Sequence, residues 1–296
     1  MKIVFLGTGS MQPTRERNLS SIFVSYGAEN ILVDCGEGTQ RQMKIAGLKP
    51  TKLTKILISH WHGDHVLGLP GIIQYLKANE FNKTLEIYGP IGTKKYFKNM
   101  MKSFIFKNPV KLVLKELKGG MFFKNEDFLL NCINLNHSVS CLGYSLVEND
   151  KRKIDLTYLK KFGLEVHPLL GKLKQGQDIV WKGIKIKAKN ATIMKKGKKV
   201  AFISDTALHN NCIKMAKDAD LVICESTYSH ELENKAKEYK HLTSKQAALI
   251  AKKAKAKRLI LTHFSQRYKY IEELKKEAKS IFSNVECAED FMEINV

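Results

Sequence analysis

The chain has 296 residues, 44% of them apolar, which is enough to bury the core of one large domain and excludes a disordered or fibrous protein. Its 50 lysines and arginines against 29 acidic residues leave a net charge of +21. Such a charge favours a polyanionic partner such as nucleic acid, although a lysine-rich solvated surface gives the same count.

The cysteine pattern and the N-terminus bear on the compartment. The six cysteines include no C-x-x-C pair, which argues against a zinc ribbon and against a disulfide framework. The opening MKIVFLGTGS has only four apolar residues before a glycine, and no run approaches membrane-spanning length. We therefore expect a soluble, cytoplasmic protein that does not engage a membrane.

Short apolar runs alternate with helical patterns along the chain. The runs predict strands at KIVFLG, NILVDCG, KILISH, LEIYG, KVAFISD, LVICES and RLILTHF. The intervening patterns predict helices over 38–47, 68–79, 92–106, 208–217, 243–256 and 268–282. This alternation indicates an α/β fold in which helices cover the sheet.

Four predicted strands end in residues that can bind a metal or move a proton, in KILISHWH, VAFISDT, LVICEST and LILTHFS. Sites in α/β proteins assemble in the loops at the carboxyl ends of strands. We therefore expect these four ends to share one site.

The stretch SHWHGDH concentrates three histidines and an aspartate in one tight turn. Taken singly, a histidine is more often an ordinary core or surface residue, and an aspartate is often a helix cap. Four such side chains together have no apolar explanation and favour metal binding. The complete candidate set is His60, His62, Asp64, His65, His137, Asp205 and His263.

Imidazole and carboxylate ligands suit zinc, and seven of them exceed the four that one structural zinc ion takes. Two ions fit the count. A pair of ions can clamp the attacking and the leaving oxygens of a phosphodiester displacement. The remaining histidines, His167, His209 and His230, are predicted to have no role in the site.

The H-x-H-x-D-H motif after an apolar strand, followed by a histidine, an aspartate and a histidine, resembles the metallo-β-lactamase superfamily. The resemblance implies a four-layer αβ/βα sandwich with the site along one edge of two facing sheets. The superfamily includes lactamases, lipid hydrolases and nucleases, so it does not decide the substrate.

Five finer motifs follow in chain order, FLGTGSMQPTRERNLSS, ILVDCGEGTQRQM, PLLGKLKQG, CEST and HLTSKQAA. The first two resemble the start of the ribonuclease Z (tRNase Z) family, endonucleases that remove the 3′ trailer from precursor tRNA, and the other three resemble its arm, H-E-A-T and H-S-T motifs. The chain departs from the pattern at His167-Pro168, where bacterial arms have glycine-proline, in CEST itself, and at Ser204 before the motif aspartate. None of these departures removes a candidate ligand.

The resemblance implies two zinc ions per chain, with manganese or iron as alternatives, and no nucleotide cofactor. It assigns His60, His62 and His137 to one ion, Asp64, His65 and His263 to the other, and Asp205 to both.

The same resemblance implies the reaction and the assembly. Asp64 orients the attacking water or accepts its proton, and His241, paired with Glu225, protonates the departing oxygen. Cleavage after the discriminator base would leave a tRNA 3′-hydroxyl and a trailer 5′-phosphate. The resemblance also implies a homodimer.

The segment 148–190 has weak periodicity and many lysines, which fits either a protruding RNA-gripping arm or a solvated hairpin. The resemblance favours an arm within a single 1–296 domain, with Lys172 and Lys174 as its RNA-binding residues. Arg17 and Asn18, after the GTGS turn, are further candidate RNA contacts.

Asp34, in the motif DCGEG, has two possible roles from sequence. It orients a ligand histidine or caps the helix that follows Gly38.

Two other functions compete with precursor tRNA cleavage. A small-molecule hydrolase of the same superfamily would have no need of the basic segment. A tRNA-binding protein without turnover would lack ligands, whereas all seven are present here.

Overall fold

The computed structural model describes residues 1–105 and 110–296. They form two compact units, the first made of Met1–Lys124, Leu130–Leu146 and Lys199–Val296, and the second of Asn125–Leu129 and Val147–Lys198. Within these residues, no helix has the length and apolar character needed to cross a bilayer.

The helices are α1 (Thr39–Ile45), α2 (Gly63–Val66), α3 (Leu69–Ala78), α4 (Thr93–Lys102), α5 (Leu156–Lys160), α6 (Leu169–Lys174), α7 (Ala188–Ala191), α8 (Asn210–Ala216), α9 (Glu233–Tyr239), α10 (Ser244–Lys253) and α11 (Glu272–Lys279). The strands are β1 (Lys2–Gly7), β2 (Gly9–Ser10), β3 (Ser21–Tyr26), β4 (Glu29–Val33), β5 (Lys55–Leu57), β6 (Thr84–Pro90), β7 (Lys111–Leu117), β8 (Gly120–Lys124), β9 (Phe128–Asn136), β10 (Ser140–Glu148), β11 (Lys151–Ile154), β12 (Ile179–Trp181), β13 (Ile184–Ile186), β14 (Thr192–Lys195), β15 (Lys199–Ile203), β16 (Leu221–Glu225), β17 (Leu259–Thr262), β18 (Phe264–Ser265), β19 (Val285–Cys287) and β20 (Glu293–Asn295).

Two sheets of seven strands each are present in the described part of the chain, with orders β20-β1-β3-β4-β5-β6-β7 and β19-β17-β16-β15-β10-β9-β8. The run from β4 to β7 is parallel, as is the run β15-β16-β17-β19. Strands β5 and β16 are buried throughout, as is usual for parallel strands covered on both faces. Their carboxyl ends carry the predicted site residues.

Helices cover the outer face of each sheet. Apolar side chains of α1, α3 and α4 pack with the first sheet, and those of α8, α10 and α11 pack with the second. Between the sheets, the hydroxyl of Tyr144 on β10 donates to the carbonyl of Ile58, 2.6 Å away, just after β5. The first unit is therefore the four-layer αβ/βα sandwich that the sequence predicts.

The six predicted helices correspond to α1, α3, α4, α8, α10 and α11, each a few residues shorter than predicted. Helix α10 begins with a capping box, in which Thr243 accepts from the Gln246 amide and the Gln246 side chain accepts from the amide of Thr243. The last residue of the predicted helix 92–106 lies outside the described residues.

Strands β7 to β10 were not among the predicted elements. Strands β7 and β8 lie at sheet edges; the exposed Lys115 interrupts the apolar pattern of β7, and β8 ends in the exposed Lys124. Edge strands commonly carry such charges because the charges discourage pairing with another chain. An apolar run is therefore a weak signal for a strand at these positions.

The second unit has its own apolar cluster, which includes Ile154, Leu159, Leu164 and Leu173. Strand β11 pairs with β14 and β12 pairs with β13, both antiparallel, beside the short helices α5, α6 and α7. The side chain of Asp155 caps α5 by accepting from the Tyr158 amide at 3.0 Å. The weak periodicity of 148–190 thus reflects elements of three to six residues.

Candidate metal centre and active site

The predicted metal-binding turn directly follows β5. His60 is fully buried, and His62 precedes the one-turn helix α2, which contains Asp64 and His65. The amide of His65 donates to the carbonyl of His62 at 3.1 Å. This tight turn places the side chains of His60, His62, Asp64 and His65 together at the carboxyl end of β5.

The fold brings the seven candidate ligands together from both sheets. His60, His62, His137 and Asp205 form one group, and Asp64, His65 and His263 form another, with candidate ligand atoms within 4.8 Å of one another in each. The Asp205 carboxylate lies between the groups. Its Oδ2 is 3.7 Å from Nε2 of His60 and 3.5 Å from Nε2 of His65, and its Oδ1 is 3.3 Å from Nε2 of His263.

Unpartnered buried atoms test whether these residues fit metal ions. Nε2 of His65, Nε2 of His263 and Oδ1 of Asp205 are buried and make no hydrogen bond in the described part of the chain. Buried polar atoms nearly always have a partner. Imidazole nitrogens and a carboxylate oxygen directed at one another fit divalent ions such as zinc, manganese or iron.

The electrostatics of the cluster keep its carboxylates ionised. Burial alone would raise the pKa of Asp205, but the imidazoles of His263 and His65 hold that pKa well below its usual range. Asp64 behaves in the same way, since His65 and His263 outweigh its burial. Burial, with His65 nearby, holds the pKa of His60 well below the ordinary value. The neutral imidazole of His60 is the form that binds a metal ion, whereas burial lowers the pKa of His65 but Asp205, Asp64 and Asp34 raise it well above its ordinary value, so an ion bound there would displace a proton.

Groups behind the ligands fix their orientation. Oδ2 of Asp34 is 2.8 Å from Nδ1 of His65, and Asp34 also accepts from the amide and the hydroxyl of Ser59. This contact directs Nε2 of His65 into the site. Helix α1 has Gly38 at its N-cap and no side-chain cap, so the structure favours the orienting role of Asp34 over the capping role.

Two further orienting groups were not predicted from the sequence. Oγ1 of Thr227 lies 3.0 Å from Nδ1 of His263, and the carbonyl of Lys240 lies 3.0 Å from Nδ1 of His137. Thr227 is the last residue of CEST, so the motif marked its place. The carbonyl of Lys240 has no signal in the sequence, because every residue has one.

Glu225, which is buried, and His241, which is partly buried, form a pair beside the ligand cluster. Oε1 of Glu225 is 3.1 Å from Nδ1 of His241 and accepts from the Thr206 amide at 2.9 Å. Burial alone would lower the pKa of His241, but Glu225 and Asp205 raise it to about 9. His241 also lies close enough to Asp205 and His263 to join them as a ligand.

The cluster opens into a cleft of about 900 Å³ within the first unit. His62, Asp64 and His241 line it, together with Lys235 and Arg267. The Met11 amide donates to Oδ2 of Asp64 at 2.8 Å across this cleft. A space of this size accommodates a nucleotide segment rather than a single small anion.

The four predicted RNA contacts differ in exposure. Lys172 and Lys174 are exposed on α6 of the second unit. Arg17 is buried and its guanidinium donates to the carbonyl of Tyr268, so this contact within the fold competes with the predicted RNA contact. The side chain of Asn18 also makes a contact within the fold, since its amide donates to the carbonyl of Glu37 at 2.8 Å.

The fold and the ligand cluster define the class of protein, a metal-dependent hydrolase of the metallo-β-lactamase superfamily. A family model described as a beta-lactamase superfamily domain matches residues 190–264, and one described as anti-Pycsar protein Apyc1 matches residues 1–154. The second match ends before Asp205 and His263, so it covers only part of the site.

Relatives that match the whole chain identify the family. Ribonuclease Z of Streptococcus equi subsp. equi (strain 4047) and that of Streptococcus pyogenes serotype M5 (strain Manfredo) are each 39% identical to this chain, and each alignment covers 99% of both proteins. The crystal structure of the short form of human tRNase Z has a TM-score of 0.73 at 30% identity, covering 100% of this chain and 99% of that one. The chain belongs to the ribonuclease Z family.

A further solved structure shares the fold alone. The metallo-beta-lactamase fold protein YhfI from Bacillus subtilis has a TM-score of 0.72 at 21% identity, covering 99% of this chain and 98% of that one.

Proposed function

We propose that this chain is a zinc-dependent endoribonuclease that cuts precursor tRNA after the discriminator base, leaving a tRNA 3′-hydroxyl and a trailer 5′-phosphate. The observation that carries the proposal is the Glu225–His241 pair, which adjoins a two-ion ligand set in a cleft of nucleotide size. The tRNA substrate follows from the ribonuclease Z relatives, and the net charge of +21 suits it.

The ligand groups divide between two divalent ions. His60, His62 and His137 would hold one ion, Asp64, His65 and His263 the other, and Asp205 would contact both. When bound, such ions lower the pKa of water toward about 7 and neutralise phosphate charge.

Asp64 has a second task besides metal binding. Its Oδ2 accepts from the Met11 amide, so the carboxylate keeps one orientation at the wall of the cleft. The imidazoles of His65 and His263 keep it anionic, because they lower its pKa. From that position Asp64 orients the attacking water.

His241 acts as the general acid. Its Nδ1 is engaged by Glu225, which leaves Nε2 to face the departing ribose 3′-oxygen. Burial opposes the charged imidazolium, but Glu225 and Asp205 outweigh burial and raise the pKa of His241 to about 9, so it carries a proton at neutral pH. A ribose oxygen is a poor leaving group and gains from a proton as it departs.

The second unit supplies the grip on tRNA. Residues 148–190 contain 11 lysines and arginines against 5 acidic residues. Lys172 and Lys174 on α6 would contact backbone phosphates, whose binding needs charge rather than base recognition. The protein would work in the cytoplasm as a homodimer. Sedimentation of the purified protein tests whether it is a dimer.

Trailer release from a 3′-extended precursor tRNA tests the proposal. The purified protein should release a trailer, and His62→Ala should abolish that release. The matched control is His230→Ala, since His230 is exposed and pairs only with Glu233 among the ion pairs of the described residues. Turnover of small phosphodiesters without any cleavage of the precursor would instead favour a small-molecule hydrolase.

A further inference from the structure

Met11 has a backbone conformation that a residue other than glycine seldom adopts. Its φ is +62°, in the left-handed region, where the side chain crowds the backbone. The preceding residue, Ser10, pairs with Ser265 in the short β2–β18 ladder, and the Gln12 amide donates back to the Ser10 carbonyl at 2.7 Å. This tight turn delivers the Met11 amide to the Asp64 carboxylate. Strained backbone of this kind persists at functional sites.

The Met11 side chain projects into the cleft rather than into the core. It is 68% exposed and lines the same cleft as His62, Asp64 and His241. Two other exposed apolar side chains line that cleft, Leu67 at 54% and Tyr239 at 50%. Exposed apolar groups gathered at one cleft indicate a ligand with an apolar face.

The cleft offers a substrate two kinds of contact, charged and apolar. Charged groups, including the ligand cluster and the side chains of Lys235 and Arg267, suit the phosphates. The thioether of a methionine does not bind phosphate, but it packs well against an aromatic ring. In an RNA strand, the aromatic rings beside a phosphate are the nucleobases.

We propose that Met11 packs its thioether side chain against a nucleobase next to the scissile phosphate, while its amide holds Asp64. The strained turn thereby couples the position of a catalytic carboxylate to the position of the substrate. This inference rests on the proposed RNA cleavage and adds a substrate-contacting residue to it.

The test compares wild type with Met11→Ala on three precursor RNAs, one intact and two with an abasic nucleotide on either side of the scissile phosphate. On intact RNA the variant should raise KM about two- to tenfold, the range of a sulfur–aromatic contact. On one abasic RNA, wild type and variant should have the same KM, because the base that Met11 contacts is missing. Met121→Ala removes a similarly exposed methionine, on β8, and should not change KM.

Two results would overturn the inference. An equal change of KM on all three RNAs would mean that Met11 acts only through the backbone turn, and no change on any of them would mean that it contacts no base. If wild type cleaves none of the RNAs, the proposed function itself fails. Because wild type and variant are measured side by side, that failure is distinct from a failure at Met11.

Discussion

Replacing Glu225 by glutamine should make the cleavage rate fall at a lower pH than in wild type. Glu225 lies 3.1 Å from Nδ1 of His241 and, with Asp205, raises the pKa of that histidine to about 9 against the effect of burial. Glutamine keeps the shape and removes the charge. Burial, which lowers the pKa of His241, then outweighs Asp205, which raises it, so that pKa should fall to about 6.5 or below. The acid form is then lost at a lower pH.

The size of the effect follows from the two pKa values. With a pKa of about 9, roughly nine-tenths of His241 is protonated at pH 8, whereas with about 6.5 only about 3% is. Cleavage of precursor tRNA by Glu225→Gln should therefore be about 30-fold slower than wild type at pH 8 and nearly equal at pH 6. His241→Ala should lose roughly 10²–10⁴-fold across this range, the usual contribution of a positioned acid.

Single-turnover cleavage of precursor tRNA from pH 6 to pH 9 measures this, beside hydrolysis of an activated aryl phosphodiester. The aryl leaving group has a low pKa and needs no proton, so His241→Ala should hydrolyse that substrate almost as fast as wild type. Metal content is measured on the same samples. Equal losses on both substrates together with lost metal would make His241 a ligand, as its place beside Asp205 and His263 allows, and would refute the acid role.

Three further predictions concern the metal site and the arm. Elemental analysis should find close to two transition-metal ions per chain, and Asp205→Ala, which removes the group between the ligand sets, should lose metal and activity while staying folded; activity that survives exhaustive chelation would contradict this. Asp34→Asn should lower metal affinity about 10- to 100-fold, because an amide NH₂ turned toward Nδ1 of His65 disturbs its orientation; metal titration with a competing chelator measures it, and unchanged affinity would remove Asp34 from the site. Replacing Lys172 and Lys174 by alanine should weaken precursor binding and reduce the slope of log binding constant against log salt concentration by up to about 0.9 per lost contact. An unchanged slope would mean that 148–190 is a solvated hairpin without a role in RNA binding.

The ligand set could be predicted from sequence because its members follow apolar runs. His60 and His62 follow β5, Asp205 follows β15, and His263 follows β17, so the α/β pattern alone placed them at one edge. Glu225 ends β16 and obeys the same rule, whereas His241 follows no apolar strand. Their pairing was predicted only from the resemblance of CEST and HLTSKQAA to family motifs, and the structure places the two side chains in contact.

The remaining features could not be predicted from the sequence because they depend on backbone conformation and on burial. The turn at Met11 and the carbonyl of Lys240 act through main-chain groups that any residue would supply. Arg17 was predicted to bind RNA because a cation after a glycine-rich turn in a basic chain suggests phosphate binding. Its burial against the carbonyl of Tyr268 depends on a segment some 250 residues away in sequence, which no local pattern reveals.

Mapping both ends of the cut in a 3′-extended precursor tRNA distinguishes hydrolysis by water from attack by the neighbouring 2′-hydroxyl. A water molecule activated at a two-ion site and a proton delivered by His241 to the ribose 3′-oxygen predict a tRNA ending in a 3′-hydroxyl at the discriminator and a trailer beginning with a 5′-phosphate. A 2′,3′-cyclic phosphate on the tRNA would mean attack by the neighbouring 2′-hydroxyl instead of water. That product, or cuts scattered away from the discriminator, would contradict the account.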